Sequence, residues 1–326
     1  MKRTIAIVCG GDSSEHDVSM RSGAGLYSFF DKERYDIYLV ETRGMDWQVH
    51  LNDGSKTPII YKDFSFIENG KNRKFDYAYI TIHGAPGENG IMQGYFEMVK
   101  VPYSTSNVLV EALTFDKFAL NQYLRSFGVS VADSILVRKG EELNLDPAEV
   151  EKRLGMPVFV KPSTDGSSFG VTKVKKAEDL AKALEIGFEE SNEVMIEGFL
   201  AGTEITCGCY KTRQKTVVFP ITEVVTENEF FDYDAKYNGQ VQEITPARIA
   251  EDVADRVRKI TSMIYDILHC NGIIRIDYII SPEGKVNMLE INTTPGMTAT
   301  SFIPQQVKAA GLDIKDVLTD IVENQF

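Results

Sequence analysis

Acidic and amide side chains recur at alternate positions in residues 272–296, which read GIIRIDYIISPEGKVNMLEINTTPG. Alternate residues of a β-strand share a face, so Arg275 and Asp277 would lie together on a first strand. By the same rule, Glu290 and Asn292 would share a face of a second strand. The pattern therefore predicts a β-hairpin that directs two carboxylates and one amide to a common side.

The register of this hairpin decides whether the carboxylates meet. If residues 282–285 form the loop, Ser281 opposes Val286 and Asp277 opposes Glu290, and the arginine opposes the asparagine. A shift of one residue would send the carboxylates to opposite faces. At about 4 Å two carboxylates repel by roughly 4 kcal/mol at an effective dielectric near 20, so we expect a cation between them. Oxygen ligands from Asp, Glu and Asn predict magnesium or manganese rather than zinc.

A loop rich in glycine and serine follows a predicted strand at residues 161–170, KPSTDGSSFG. Backbone N–H groups and hydroxyls of this kind can surround phosphates, although the loop matches neither G-x-x-x-x-G-K-[ST] nor G-x-G-x-x-G. The alternative is an ordinary polar hairpin. Lys161 favours the phosphate interpretation, because an ammonium at a strand end can reach a phosphate oxygen. Lys117 would be a second cation, although taken alone it is typical of a solvated helix residue.

The N-terminal part offers two more candidate contacts at strand ends. Glu15 lies in GGDSSEH, residues 10–16, where a first strand passes into a helix. Its carboxylate would either receive an ammonium group or only complement the helix dipole, and the residues leave both interpretations open. His83 follows a buried strand and precedes a glycine-rich loop, which favours a ligand contact over a purely structural role.

Residues 226–242 are rich in aromatic and charged side chains and follow neither helical nor strand periodicity. A loop of this length is usually functional, so we predict a lid that brings Lys236 and Tyr237 into the site; the alternative is a surface loop. Arg275 either pairs with its neighbouring carboxylate or stabilises oxyanion charge at a reacting carbonyl. Residues 293–301 would offer N–H groups and hydroxyls to a substrate carboxylate.

Alternating strand and helix signals must position these residues. The predicted strands are 4–9, 35–41, 77–82, 156–161, 171–174, 193–197, 204–210 and 217–223, and the predicted helices are 15–30, 115–127, 178–190 and 249–268. Crossovers between the early strands predict a parallel sheet with helices on both faces, with functional groups at the strand ends. The last predicted helix would bury a face made of Val253, Val257, Ile260, Ile264 and Leu268.

The composition limits the class of partner. A chain of 326 residues exceeds the usual size of a single core and predicts two or three domains. With 35 Lys and Arg against 48 Asp and Glu, the net charge of -13 argues against a nucleic-acid surface or an anionic membrane. The first apolar run ends at Gly10, too early for a secretory signal, and no stretch reaches the roughly 18 apolar residues of a membrane span. We therefore expect a soluble, cytoplasmic protein with small-molecule substrates.

Six motifs, in order along essentially the whole chain, resemble those of the D-alanine–D-alanine ligases, a branch of the ATP-grasp family. They are Gly10-Gly11-x-Ser-x-Glu15, His83-Gly84-x-x-Gly87-Glu88-x-Gly90, Lys161-Pro-Ser-x-x-Gly166-Ser167-Ser168-x-Gly170, Tyr233-x-Ala-Lys236-Tyr237, Gly272-x-x-Arg275-Ile-Asp277 and Glu290-x-Asn292-Thr-x-Pro-Gly296-Met297. The resemblance implies an α/β, three-domain ATP-grasp architecture: an N-terminal parallel-sheet domain at 1–103, a central subdomain with the phosphate loop at 104–197, and a C-terminal subdomain with the lid and metal site at 198–326.

The same resemblance implies that ATP lies between the second and third domains. The residues implied to hold its phosphates are Lys117, Lys161, Ser167, Ser168 and, on lid closure, Lys236. Those implied to line the adenine and ribose pocket are Glu197, Phe199, Leu200, Glu204 and Phe230. Two Mg²⁺ or Mn²⁺ ions would be held by Asp277, Glu290 and Asn292.

The resemblance also implies where the amino acid substrates bind. Glu15 and His83 would hold the first D-alanine, and Ser167 with Tyr237 would link Glu15 to the lid. The implied contacts of the second D-alanine are Arg275, Gly296, Ser301 and Phe302. A homodimer is a further implication.

The implied reaction converts two D-alanines and ATP to D-alanyl-D-alanine, ADP and phosphate through D-alanyl phosphate, for peptidoglycan synthesis. Tyr237 favours an amine nucleophile over D-lactate, because related depsipeptide ligases carry His or another residue there. The chain departs from the family pattern at Asp165, Phe199 and Phe231, which concern lid and adenine contacts.

The rival interpretations are another ATP-grasp carboxylate–amine ligase, a depsipeptide ligase and a regulatory ATP-binding protein. Retention of the charged motifs argues against the regulatory protein, and the absence of G-x-G-x-x-G argues against an oxidoreductase.

Overall fold

The computed structural model describes residues 2–141, 145–164, 170–226 and 241–326. Within these ranges the chain forms three main sheets, which succeed one another along the chain and pack against helices. The α/β class predicted from the sequence is confirmed. The domain boundaries expected after residues 103 and 197 stay predictions.

The first sheet has the strand order β4-β3-β2-β1-β7. Its strands and the helices of this part are β1 (Arg3–Gly10), α1 (His16–Phe29), β2 (Tyr35–Arg43), β3 (Asp46–His50), β4 (Lys56–Pro58), β7 (Tyr77–Ile80) and α2 (Ile91–Val99), with a separate hairpin of β5 (Ser65–Glu68) and β6 (Lys71–Lys74). β1 pairs in parallel with β2 and β7, as predicted, and its continuous burial fits a strand covered on both faces. The antiparallel strands β3 and β4 were not predicted from the sequence.

The second sheet is antiparallel, with the order β10-β9-β11-β8. The elements of this part are α3 (Val108–Phe115), α4 (Lys117–Arg125), β8 (Ser134–Arg138), α5 (Pro147–Leu154), β9 (Val158–Pro162), β10 (Thr172–Val174), α6 (Leu180–Glu190) and β11 (Glu193–Gly198). The helix predicted at 115–127 is confirmed over most of its length by α4, but it begins only at Lys117, because Asp116 is extended and separates it from α3. The Asp116 side chain accepts a hydrogen bond from the backbone N–H of Ala119 and so caps α4, which places Lys117 at the first position of that helix.

The third sheet has the order β15-β14-β12-β16-β17, and β13 pairs with β12 beside it. Its elements are β12 (Thr203–Lys211), β13 (Thr216–Val218), β14 (Thr222–Thr226), β15 (Val241–Ile244), α7 (Glu251–Leu268), β16 (Ile273–Ile280), β17 (Val286–Asn292), α8 (Phe302–Ala309) and α9 (Ile314–Glu323). The strand predicted at 217–223 is interrupted at Pro220, which has no N–H to donate to a ladder. On α7 the predicted residues Val257, Ile264 and Leu268 are buried, while Val253 and Ile260 are partly buried.

One hydrophobic cluster joins the first and third sheets. It contains Leu26 of α1, Ile303 of α8 and Leu318 of α9. The end of α9 adds polar links, since Glu323 pairs with Arg3 at 2.7 Å and accepts a hydrogen bond from the Tyr35 hydroxyl at 2.7 Å. The shared core therefore holds the ends of the two sheets beside one cleft.

Candidate active site

A cavity of about 910 Å³ lies where the three sheets meet. Every predicted site residue that the structure describes lines it: Glu15, His83, Lys117, Lys161, Glu197, Phe199, Leu200, Glu204, Arg275, Asp277, Glu290, Asn292, Gly296, Ser301 and Phe302. The predicted residues Ser167, Ser168, Phe230, Lys236 and Tyr237 lie outside the described residues, as do Asp165, Phe231 and most of the predicted lid. Residues far apart in sequence thus share one space large enough for a nucleotide and small substrates.

The metal hairpin has the predicted pairing at its functional end. Asp277 opposes Glu290 and Arg275 opposes Asn292. Near the turn the prediction is wrong by one residue, because Ile280, not Ser281, opposes Val286. A bulge between Asp277 and Tyr278 absorbs this difference and returns the two carboxylates to one face.

Arg275 and Asp277 form the central charged pair of the hairpin. The arginine Nε donates to Asp277 Oδ1 at 3.0 Å and Nη2 donates to Oδ2 at 2.8 Å. Asp277 also accepts hydrogen bonds from the Thr206 hydroxyl and, at 3.1 Å, from the Asn292 amide. Burial alone would lower the pKa of Arg275, but the neighbouring Asp277 and Glu290 carboxylates raise it, so the guanidinium stays charged.

The residues of the hairpin fit a hard divalent cation. Asp277, Glu290 and Asn292 offer oxygen atoms and line the cavity together. Within the described ranges, no group of three or more His, Cys, Asp and Glu side chains could enclose a metal ion. Two carboxylates and an amide do not complete the coordination shell of a metal ion. Such a partial set of protein ligands is typical of magnesium sites, in which water and phosphate oxygens are the other ligands.

The cations predicted to hold phosphates come from two elements. Lys161, in β9, donates from Nζ to Glu197 Oε2 at 2.6 Å, and the amide of Asn121 donates to Glu197 Oε1 at 3.3 Å. Lys117 starts α4, and its backbone N–H donates to the Ser163 carbonyl at 2.8 Å. This bond ties the first turn of α4 to the segment after β9, so both lysines lie beside the start of the predicted phosphate loop.

Aromatic rings line the predicted adenine side of the cavity. The rings of Phe159 and Phe199 lie 6.1 Å apart between centroids. The ammonium of Lys173 lies 4.6 Å from the Phe199 ring centroid. With 39% of its surface exposed, Phe199 presents a flat apolar face that a purine base can cover.

The parallel strands β1 and β7 bring Glu15 and His83 to the same edge of the first sheet. Glu15 is the N-cap residue of α1, and its backbone N–H donates to the Ser13 hydroxyl at 3.2 Å. The ring Nε2 of His83 lies 3.3 Å from the Ser22 hydroxyl. Burial lowers the pKa of His83, against the opposing effect of Glu15, so we expect a neutral imidazole.

The loop after β17 lines the cavity beside α1, where the Met297 N–H donates to the Ser22 hydroxyl at 3.4 Å. The Ser301 hydroxyl accepts a hydrogen bond from the Thr298 N–H at 3.1 Å, and a Cβ placed on Gly296 would lie 3.0 Å from the same hydroxyl. The guanidinium carbon of Arg275 lies 5.2 Å from the Phe302 ring centroid. Gly296 therefore permits a close turn that places its backbone near the serine.

Glu88 and Glu243 also line the cavity but were absent from the predicted site. Burial raises the pKa of Glu88 to about 7, although the Gly84 N–H, at 2.6 Å, opposes this rise. Glu88 could have been chosen from the sequence, since it belongs to the glycine-rich motif after His83. Glu243 gave no such signal, because it enters the site only through the pairing of β14 with β15.

Comparisons with known proteins identify relatives over the whole chain. A family model described as D-ala D-ala ligase N-terminus matches residues 4–106, and one described as D-ala D-ala ligase C-terminus matches residues 123–323. A protein of Phocaeicola vulgatus named D-alanine--D-alanine ligase is 68% identical over 326 residues, which are 100% of both chains. A protein of the same name from Bacteroides fragilis is 62% identical, again over 100% of both chains.

Solved structures with the same fold extend over the whole chain. The VanG D-Ala:D-Ser ligase from Enterococcus faecalis has a TM-score of 0.89 at 29% identity and covers 100% of both chains. The D-alanine--D-alanine ligase from Bacillus anthracis complexed with ATP has a TM-score of 0.78 at 31% identity, covering 99% of this chain and 97% of that one.

Proposed function

The chain belongs to the D-alanine–D-alanine ligase family, and we infer that it joins two D-alanines to D-alanyl-D-alanine while ATP becomes ADP and phosphate. The product is a building block of peptidoglycan. One observation supports the roles that we assign to individual residues. The hairpin residues Arg275, Asp277 and Glu290 line the same cavity as Lys117 and Lys161.

Asp277, Glu290 and Asn292 are proposed to hold two Mg²⁺ or Mn²⁺ ions together with ATP. Such ions neutralise phosphate charge and favour phosphoryl transfer. The support is the chemistry of these donors and their register across the hairpin. On the nucleotide side, Glu197, Phe199, Leu200 and Glu204 are proposed to contact the adenine and ribose.

In the first step, the carboxylate of the first D-alanine attacks the γ-phosphorus, the bond to the β–γ bridging oxygen breaks, and ADP leaves. Glu15 is proposed to bind the substrate ammonium, with the neutral His83 beside it. Lys117 and Lys161 are proposed to hold the phosphates in line with the attacking oxygen. The support is that these four side chains line one cavity.

In the second step, the unprotonated amine of the second D-alanine attacks the carbonyl carbon of D-alanyl phosphate. The nitrogen loses a proton, the bond from carbon to the phosphate oxygen breaks, and inorganic phosphate leaves. Arg275 and the Gly296 N–H are proposed to stabilise the negative oxygen that develops on the carbonyl. Ser301 and Phe302 are proposed to contact the second substrate.

The lid residues complete the proposal. Ser167 and Tyr237 would link Glu15 to the lid, Ser168 and Lys236 would bind phosphate oxygens, and Phe230 would contact the adenine. These five assignments rest on the motifs they share with the family. A homodimer in the cytoplasm is also proposed, and sedimentation of the purified protein tests the oligomeric state. In the described part of the chain, no helix is long and apolar enough to span a bilayer.

A second candidate function is ligation of D-alanine to D-serine or D-lactate. The likeness to a D-Ala:D-Ser ligase, with a TM-score of 0.89, is the observation that favours testing it. Tyr237 supports the dipeptide, because the motif position carries another residue in depsipeptide ligases.

One assay tests these assignments. The purified protein is incubated with ATP, Mg²⁺ and D-alanine labelled with ¹⁸O in its carboxylate. We expect equal amounts of ADP, phosphate and dipeptide, with one ¹⁸O in each phosphate. AMP and pyrophosphate, or unlabelled phosphate, would exclude the acyl phosphate route. Equal mixtures of D-alanine with D-serine or D-lactate should still yield mainly D-alanyl-D-alanine.

A further inference from the structure

A buried carboxyl group outside the assigned site remains to be explained. Glu111, on α3, is 0% exposed. Its Oε1 accepts a hydrogen bond from the Ser106 N–H at 2.9 Å, and its Oε2 accepts one from the Thr293 hydroxyl at 2.6 Å. Among the described residues it forms no ion pair. A buried carboxyl without a cation is costly to a fold, so its hydrogen bonds must compensate for the lost contact with water.

Burial raises the pKa of Glu111 well above its usual value, and the nearby Glu88 adds to this rise. Burial thus favours the uncharged form of this carboxyl. Its two hydrogen bonds, to Ser106 and Thr293, link two segments of the chain.

Thr293 connects this link to the metal hairpin. It directly follows Asn292, whose amide donates to Asp277 at 3.1 Å, and it is 4% exposed. The next residue, Thr294, donates from its hydroxyl to the Ile82 carbonyl at 3.3 Å. Beyond it the chain turns to Gly296 at the second-substrate end. The direction in which the chain leaves β17 thus depends on two buried threonines that contact other parts of the chain.

We propose that Glu111 is a positioning residue, which anchors Thr293 and thereby sets the orientation of the Asn292 amide in the metal site. This inference rests on the proposed function of Asn292 as a ligand of the nucleotide-bound metal. In this proposal Glu111 itself contacts no substrate.

The test is the affinity of the metal-free protein for Mn²⁺·ADP, measured by calorimetry, with the melting temperature measured separately without ligand. Glu111→Gln keeps the size of the side chain and a polar link to both partners, whereas Glu111→Met keeps the size and removes the link. Thr293→Val and Thr293→Ser are the matching pair at the other end. Val110→Ala is the control, because Val110 is a buried residue of the same helix that packs in the core beside it.

We expect Glu111→Met and Thr293→Val each to weaken Mn²⁺·ADP binding by about tenfold or more, as for other groups that orient metal ligands. Glu111→Gln and Thr293→Ser should stay within about threefold of the wild type, and the double variant Glu111→Met/Thr293→Val should be no weaker than either single one. Val110→Ala should lower the melting temperature and leave binding unchanged.

Three outcomes would overturn the inference: unchanged binding in Glu111→Met, equal losses in Glu111→Gln and Glu111→Met, or additive losses in the double variant. If Glu111→Met does not fold, the two Thr293 variants decide in the same way. A wild-type protein that does not bind Mn²⁺·ADP would instead contradict the proposed metal site, so the two failures are distinguishable.

Discussion

Arg275 and Asp277 lie two residues apart on one face of β16 and are joined by two hydrogen bonds, of 3.0 and 2.8 Å. Their side chains are only 15% and 11% exposed. In this arrangement the planar guanidinium is held by its Nε and Nη2 edge, and its position is fixed before any substrate binds. A carbonyl oxygen that gains negative charge would meet a donor that needs no reorganisation.

The first prediction concerns the shape of this arginine. Arg275→Lys keeps the charge but loses the planar fork, so we expect kcat to fall by roughly 10²- to 10³-fold, the usual effect of losing an oxyanion donor. The measurement is steady-state release of ADP with D-alanine at saturation. Arg258→Lys, at a surface ion pair with Asp255 on α7, is the control and should keep full activity. A tenfold or smaller loss in Arg275→Lys would contradict the oxyanion role.

The second prediction concerns the metal carboxylates. Glu290→Gln removes one negative charge opposite Asp277, so turnover should fall at least about tenfold and the half-saturating Mg²⁺ concentration should rise. The melting temperature without metal should change little, because the lost repulsion from Asp277 is opposed by the lost attraction to Arg275. The measurements are a Mg²⁺ titration of activity and calorimetry of the metal-free protein.

Glu283→Gln is the matched control for this variant, since it makes the same substitution in the exposed turn of the same hairpin. It should change neither the Mg²⁺ dependence nor the melting temperature. Full activity of Glu290→Gln at low Mg²⁺ would show that this carboxylate is not a ligand.

The hairpin also shows which strand pairings an alternating sequence pattern can predict. Alternation predicted that Asp277 would oppose Glu290, and this pairing is confirmed. It could not predict the turn, where Ile280 rather than Ser281 opposes Val286. A bulge adds one residue to one strand, and the period-two pattern on each side of it looks the same as in a regular strand. The functional pairing was thus found although the register near the loop was wrong.

Other differences between the predicted and the observed structure have separate causes. The break between α3 and α4 was predictable, because Asp116 before Lys117 is a usual N-cap signal. The burial of Glu111 was not predictable, because its partner Thr293 lies 182 residues away along the chain. Glutamate side chains are mostly exposed, so the burial of this one became evident only from its tertiary contact. The motif residues could be found from the sequence, whereas the groups that orient them required the structure.

The third prediction concerns Lys161 and Glu197, which are 12% and 5% exposed and 2.6 Å apart. Lys161→Met leaves a buried carboxylate without its cation, so we expect a loss of about 3–5 kcal/mol in the free energy of unfolding. Lys161→Met/Glu197→Leu should recover most of this loss, since no charge is then left alone. Chemical denaturation measures both effects.

Nucleotide binding should respond differently from stability in these variants. The double variant lacks both the ammonium proposed to hold phosphate and the carboxylate proposed to contact the adenine and ribose, so its Kd for ATP should stay raised by about tenfold or more although its stability recovers. Recovery of both properties together would mean that Lys161 serves the fold alone.

The last prediction concerns the pH dependence of stability. Burial raises the pKa of Glu88 from its usual 4.5 to about 7. The folded protein therefore holds this proton more tightly than the unfolded chain, so the contribution of Glu88 is full below about pH 4.5 and is lost as the pH rises through about 7. In Glu88→Gln the side chain cannot ionise, and this loss should disappear. Relative to the wild type, the variant should gain on the order of 1–3 kcal/mol in unfolding free energy between pH 5 and pH 8.

Denaturation at four pH values without metal or nucleotide measures the difference, with the exposed Glu185→Gln as control. Parallel curves for Glu88→Gln and the wild type would mean that this carboxyl is already ionised at pH 5, and its burial would then have to be balanced by hydrogen bonds such as that from Gly84.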